Sequence, residues 1–399
     1  SRIWGGVCEN LILVAVPMFI FMGTMLERSG VANDLLYCLQ VLLRKVPGGL
    51  ALSVTIMGTI MAATTGIIGA SVVMMTLLAL PVMLDRDYDP SLATGTIAAS
   101  GTLGILIPPS IMLVIMADLL SISVGTLFLA AVIPGLLLAL IYTIYIYFRT
   151  KFNPKLAPPL SDDLGPKTKS ELWIMIFRSF LPPIFLILCV LGSIFAGIAT
   201  PTEAAAVGAL GSIILALFNK RLTKTVIKSV TERSALTCAM IFGLFIGATA
   251  FSYVFRSLGG DDLIHHFVNS LGLGSWGILF FMMGMVFLLG FFFDWVEITL
   301  IVLPLFAPIL AILDFGTHLD PAMVIPWVAV LIAVNLQTSF LTPPFGFALF
   351  YLKGVAPKSI KIQMVYKGII PFVILQLIGL ITIILFPELV LWLPTTLLD

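Results

Sequence analysis

The chain has 399 residues, of which 60% are hydrophobic and only 10% charged, with a mean hydropathy of +1.15. Soluble domains carry roughly a quarter charged residues, so this composition describes a polytopic membrane protein. The net charge of +1 gives no footprint for nucleic acid, and the four cysteines are scattered without metal-ligand spacing.

Long stretches contain no Asp, Glu, Lys or Arg, among them 46–84, 119–148, 179–202, 234–255, 263–293, 321–352 and 368–387. A span needs about 20 mostly apolar residues, which predicts on the order of ten to twelve embedded segments. In chain order, a span over about 11–28 leads to an amphipathic piece at 31–43. Next comes an apolar stretch with a Gly-marked break, ATTGIIGAS at 63–71. A helix follows to Leu80-Pro81, then a polar turn at Asp89-Pro90. The segment after it ends in Pro108-Pro109, within ASGTLGILIPPS (99–110). Proline removes a backbone donor and clashes with the preceding turn, so the pair breaks the helix at membrane depth. Non-helical backbone is tolerated there where it is buried or lines a cavity. A closing span runs to about 148.

The connector is basic at Arg149, Lys151, Lys155, Lys167 and Lys169, and again at Lys220, Arg221, Lys224 and Lys228. Both ends of its helical hairpin (about 180–199 and 203–219) are therefore assigned to the cytoplasm. The tip, ATPTEAA, offers Thr200 or Thr202 as a helix cap with Glu203 in the first turn.

The second half repeats the first in order. A span at 238–255 leads to an amphipathic piece at 261–271 and a break at GFFFDWVE (290–297). Leu303-Pro304, Asp320-Pro321, Pro343-Pro344 in NLQTSFLTPPFG (335–346) and Pro371 then match the landmarks of the first half. Paired interrupted spans in two halves point to the substrate and ion site of a secondary transporter. The arms beside each break are short and are read as re-entrant hairpins.

Candidate chemistry clusters at these breaks. Asp294 and Glu297 share a helix face three residues apart. Charge at mid-membrane costs roughly 2.5–3.5 kcal/mol on insertion scales, which marks a functional pair unless the break lies at the interface. Thr64, Thr65, Ser71, Ser100, Thr102, Ser110, Asn335, Gln337, Thr338, Ser339 and Thr342 supply oxygens suited to a hard cation. Taken singly, each hydroxyl is better explained by bonding its own helix or packing as a small residue; the two clusters taken together favour the site. Gly66, Gly101, Gly104, Pro108 and Pro343 complete the predicted substrate and Na⁺ site, with Na⁺ itself at Ser100, Thr102, Asn335 and Thr338. No Lys or Arg lies in either broken segment, so an anion would be met by helix N-termini, hydroxyls and Na⁺. Phe291, Phe292, Phe293 and Trp295 suit a gate or a lipid-facing surface equally. No P-loop and no Ser–His constellation points to an enzyme, and no cofactor is expected beyond the coupling ion.

The motifs AASGTLGILIPPS (98–110), ISVGTLFLAAVIPGLLL (122–138), TPTEAAAVG (200–208), LGFFFDWVEITLIVLPLFAPI (289–309) and VNLQTSFLTPPFGFALF (334–350) together resemble the large membrane subunit of TRAP transporters, the tripartite ATP-independent periplasmic family. The resemblance implies an all-α fold of two inverted repeats, each with a re-entrant hairpin and a Pro-Pro-broken helix. These form a moving transport domain against a scaffold, the elevator arrangement. It implies Na⁺-coupled import of a small organic acid across the bacterial inner membrane. The partners implied are a soluble periplasmic substrate-binding protein and a small four-helix membrane subunit, with the lipid bilayer around them. It places the Na⁺ sites at the first hairpin tip with Ser100–Gly104 and at the second with Asn335–Thr342. The family has a further apolar segment before residue 1, and at the second tip many relatives carry a small hydroxyl residue after the Asp. The corresponding division is 1–62 scaffold, 63–148 first hairpin, broken helix and span, 149–235 connector, 236–288 second scaffold part, and 289–399 second hairpin, broken helix and spans. The competing readings are an H⁺-coupled elevator using Asp294 or Glu297, and a channel.

Overall fold

The computed structural model describes residues 4–65, 68–159, 165–166, 168–270, 272–343 and 346–398, and no strand occurs among them. The first half runs through α1 (Ala15–Arg28), α2 (Val31–Leu43), α3 (Gly49–Thr65), α4 (Ile68–Asp85), α5 (Pro90–Thr102), α6 (Ile111–Leu119) and α7 (Val124–Phe152). The connector holds α8 (Lys169–Met175), α9 (Leu181–Phe195) and α10 (Pro201–Phe218). The second half runs through α11 (Lys224–Ser257), α12 (Gly260–Ser270), α13 (Ser275–Leu289), α14 (Trp295–Leu310), α15 (Val324–Leu341), α16 (Phe347–Val355) and α17 (Ile362–Leu385), and α18 (Glu388–Leu398) follows. Each half thus presents long, amphipathic, hairpin arm, hairpin arm, broken helix in two parts, and closing span, in that order.

Among the described residues seven helices are long and apolar enough to cross a bilayer, or eight if α1 and α2, bent by 59°, count as one. Ser275–Leu289 and Trp295–Leu310 are apolar but fall short of that length. At 18 residues α4 is about 27 Å long, the lower limit for a span. Its length reflects a departure from the expected stop at Pro81, because the helix continues to Asp85. Similarly, α14 runs through Pro304 and Pro308. Proline in a membrane helix is tolerated when neighbours re-satisfy the freed carbonyl. Arg256 does so: its Nη2 donates at 3.0 Å to the carbonyl of Pro304, the acceptor that Pro308 leaves without an amide.

The connector is tied to the first half. Arg221 pairs with Asp34 at 3.0 Å and donates to the carbonyl of Gly30 at 2.9 Å. Of the two possible caps, Thr200 makes the full capping box with Glu203. Thr202 instead donates to the carbonyl of Leu11 at 2.9 Å.

At the core, α5 is enclosed by α3, α4 and α17, while α15 lies against α13, α7 and α17. Each broken helix therefore touches both its own hairpin and the other half's closing span. The second arm of each hairpin crosses over as well, α4 onto α16 and α14 onto α6. The backbones of α5 and α17 approach closely where Gly95 and Gly368 face each other. A Cβ on either would collide with main-chain atoms of the other helix. Small residues permit such approaches in membrane bundles, where packing drives association. Gly95→Val should therefore lower the thermal midpoint of the detergent-purified protein by an amount corresponding to about 1–3 kcal/mol or more. Gly354→Ala, where a Cβ meets nothing within 4 Å, should leave it unchanged.

Candidate functional site

The site is built from the ends of α5 and α15 and the parts of the two hairpins that meet them. Stopping a helix inside a bilayer strands carbonyls, and both breaks solve this locally. Pro109 cannot donate to the carbonyl of Ile105, four residues earlier; the Ser110 hydroxyl donates to it instead, at 2.6 Å. In α15 the Thr342 amide shifts to the carbonyl of Ser339, at 3.1 Å. The Thr342 hydroxyl takes over the carbonyl of Thr338, at 2.8 Å. Thr342 itself is extended (φ −89°, ψ 125°), as a residue before proline prefers.

The hydroxyls bond their own helices. Thr102 donates to the carbonyl of Ala99 at 2.9 Å, Thr338 to that of Val334 at 2.9 Å and Ser339 to that of Leu336 at 2.8 Å. A hydroxyl that donates keeps its oxygen lone pairs, so these bonds orient ligands rather than consume them. Ser100, Thr102, Gln337, Thr338 and Ser339 are all essentially inaccessible, and Asn335 and Ser71 nearly so. Gly101 packs on Val72 of α4, and Gly104 and Pro108 are buried in the first break. Pro343 is half-buried in the second. Gly66 and Pro344 lie outside the described residues, and Thr65 is placed as the last residue of α3.

Each broken helix is tied to its own hairpin by the residue eight positions before its first break proline. Ser100 donates to Thr55 of α3 at 3.3 Å. Asn335 donates through Nδ2 to the carbonyl of Met283 in α13 at 2.7 Å. Two residues further on, Gln337 Nε2 donates to Thr102 Oγ1 at 3.4 Å, joining the two broken helices directly. Thr102 and Gln337 are 235 residues apart, the same separation as Pro108 and Pro343. They hold equivalent places in the two breaks. The other end of the Gln337 amide, Oε1, is buried without a hydrogen-bond partner.

The second hairpin tip closes on this junction. A Cβ on Gly290 would collide with the Ser339 side chain, so glycine lets the tip reach α15. Asp294 caps α14, accepting from the Trp295 amide at 2.8 Å. Glu297 sits one turn on, with Oε2 buried and unpartnered. The aromatic run divides: Trp295 is buried at 2% exposure, while Phe292 and Phe293 face outward. Two further features were not predicted. Arg233 and Glu27 pair at 3.5 Å beside the first hairpin, a contact no local pattern reveals. Tyr351, on α16, packs against Gly69 at the start of α4.

An all-helical, multi-pass bundle with two paired helix breaks is a membrane-transporter fold. The Alcanivorax borkumensis YdaH transporter shares it at a TM-score of 0.69 and 14% identity, over 99% of this chain and 88% of that one. The family model of the tripartite ATP-independent periplasmic transporter DctM component matches residues 2–389, and the chain belongs to that family. It is 32% identical to the C4-dicarboxylate TRAP transporter large permease protein DctM of Pseudomonas aeruginosa, over 97% of this chain and 87% of that protein. It is 29% identical to the ectoine TRAP transporter large permease protein TeaC of Halomonas elongata, over 96% and 86%. These relatives are transporter permease subunits, not enzymes.

The Asn335 tie yields a prediction. Asn335→Ala frees the Met283 carbonyl at a cost of about 1.4 kcal/mol, so amide exchange across 283–296 should quicken about tenfold. Unchanged exchange there would show that the tie does not hold the hairpin.

Proposed function

We propose that this chain is the membrane subunit of a Na⁺-coupled importer of a small organic acid, working by an elevator movement in the bacterial inner membrane. The observation that carries the reading is the Thr102–Gln337 junction. Two structurally equivalent residues, one from each half, meet in a fully buried place. Equivalent positions can touch each other only on the axis that relates their halves, so this contact supports a two-fold repeat. Basic ends support its inversion: α7 finishes at Arg149 and Lys151, whereas α17 begins beside Lys358 and Lys361. Ser100, Thr102, Asn335, Thr338 and the spare Gln337 oxygen, all on that contact or within two residues of it along α5 and α15, are the oxygens this reading uses. They form a neutral, oxygen-rich set that fits Na⁺ better than a soft or strongly charged metal.

The substrate class follows from the relatives named for C4-dicarboxylates and ectoine, which carry carboxylates. With no Lys or Arg at either break (Lys353, at the far end of α16, donates to the carbonyl of Ile360), Na⁺ serves as counter-ion for the substrate carboxylate. The short N-termini of α6 and α16 add their dipoles. In the elevator reading, α3–α7 and α13–α17 travel together as the transport domain, which moves α3 and α13, assigned to the scaffold by the sequence division, to the first arms of the two hairpins. Helices α1, α9, α10 and α11 stand as scaffold beside a small four-helix membrane subunit. A periplasmic binding protein delivers the substrate.

Proton coupling through the acids of the second hairpin is the second reading, favoured by the buried, unpartnered Oε2 of Glu297. Uptake of succinate into liposomes holding the three subunits separates the two. An inward Na⁺ gradient without a pH gradient should drive uptake, and Gln337→Leu should abolish its Na⁺ dependence. Uptake driven by a proton gradient alone, and lost in Glu297→Gln, would favour the second reading.

A further inference from the structure

A cavity of about 240 Å³ lies beside the candidate site, between α1, α4, α11 and α16. Thr24, Glu27, Ala70, Val73, Arg233 and Tyr351 are among its lining residues. Gly69 and Ala70 belong to the first turn of α4, so the cavity borders the start of the first hairpin's second arm. Glu27 and Arg233 lie at the end of the bundle that carries Arg28, Lys224 and Lys228. By the positive-inside rule this is the cytoplasmic end.

The chemistry of Arg233 is unusual for such a place. Its Nη1 stands 3.5 Å from Glu27 Oε1, while charge-assisted bonds run at about 2.7–2.9 Å. A guanidinium presents five donors in a fork shaped for a carboxylate. Arg233 is one-third exposed and Glu27 nearly buried, at 34% and 13%. The pair is therefore loose, half-desolvated and turned to a space large enough for a small anion. The arginine at the other end of α11 differs. Arg256 lines a second cavity of about 310 Å³, but there it donates to the Pro304 carbonyl at 3.0 Å and holds a proline-interrupted helix. Arg233 meets no such structural demand in the contacts it makes.

We propose that this cavity is a carboxylate-binding vestibule on the release path, where Arg233 receives the substrate's carboxylate and Glu27 competes for the same guanidinium. The competition keeps the vestibule's affinity low, so the anion moves on to the cytoplasm instead of being held. The inference rests on the organic-acid reading above, and it supplies a basic group, which neither Pro-Pro break has beside it.

The test uses the full chain with its small membrane partner in inside-out vesicles. Val73→Cys is introduced, and its alkylation by an impermeant maleimide is read by mass spectrometry of the peptide containing position 73. The probe is succinate, against succinamide as the neutral match, at fixed Na⁺ and ionic strength. Succinate should slow alkylation several-fold and succinamide should not. Arg233→Gln should remove the protection while leaving the unprotected rate unchanged, and Arg233→Lys should retain part of it. Glu27→Gln should lower the half-protecting succinate concentration several-fold. Equal protection by succinamide, full protection in Arg233→Gln, or no protection at all would overturn the proposal. If Arg233→Gln does not insert, Glu27→Gln decides: a half-protecting concentration that stays the same or rises overturns it. The assay needs neither an ion gradient nor the binding protein. A failure of Na⁺-driven uptake would thus count against the functional reading and leave this measurement separately interpretable.

Discussion

Inside a bilayer a carbonyl that loses its amide partner has no water to turn to. Two Pro-Pro breaks create that problem at the centre of this molecule, and much of its architecture answers it. Ser110 satisfies Ile105, Thr342 satisfies Thr338, and Arg256 satisfies Pro304 from a neighbouring helix. The first two answers use short polar side chains at the break itself. The side chains proposed for Na⁺ are a different set, further back along the same helices: Ser100 and Thr102 in α5, and Asn335, Gln337 and Thr338 in α15.

The breaks also need to be held in register with each other. The ties from Ser100 to α3 and from Asn335 to α13 fix each break to its own hairpin. The Thr102–Gln337 contact fixes the breaks to one another. Crossed packing of α4 on α16 and α14 on α6 then knits the two halves into one body. In the elevator account that body moves as a unit, and a cation at its centre stiffens both hairpins at once. Two cavities lie along α11, one against α1, α4 and α16 and the other against α6 and α14.

Much of this was legible in the sequence because it rests on local rules. The amphipathic piece at 31–43 coincides with α2, and the Pro-Pro pairs mark the real breaks. What was not legible depends on distant contacts. Helices pass through Pro81, Pro304 and Pro308, and for Pro308 the rescue comes from Arg256, which no window around it contains. Thr200 and Thr202 were equivalent as caps until the N-terminal segment claimed Thr202. Thr102, Thr338 and Ser339 do bond their own helices, as the local rule for hydroxyls has it. The contact between Thr102 and Gln337 is tertiary. So is the pairing of Arg233 with Glu27, 206 residues away.

The most direct measurement of the central claim is the thermal midpoint of the purified chain in Na⁺ against K⁺ at equal ionic strength. A ligand that binds the folded state at 100 times its dissociation constant adds about 2.7 kcal/mol of stability. The account predicts a higher midpoint in Na⁺, a difference that disappears in both Gln337→Leu and Thr102→Val. Equal midpoints in the two salts, or a Na⁺ shift that survives both substitutions, would contradict a cation site at the junction of the two breaks.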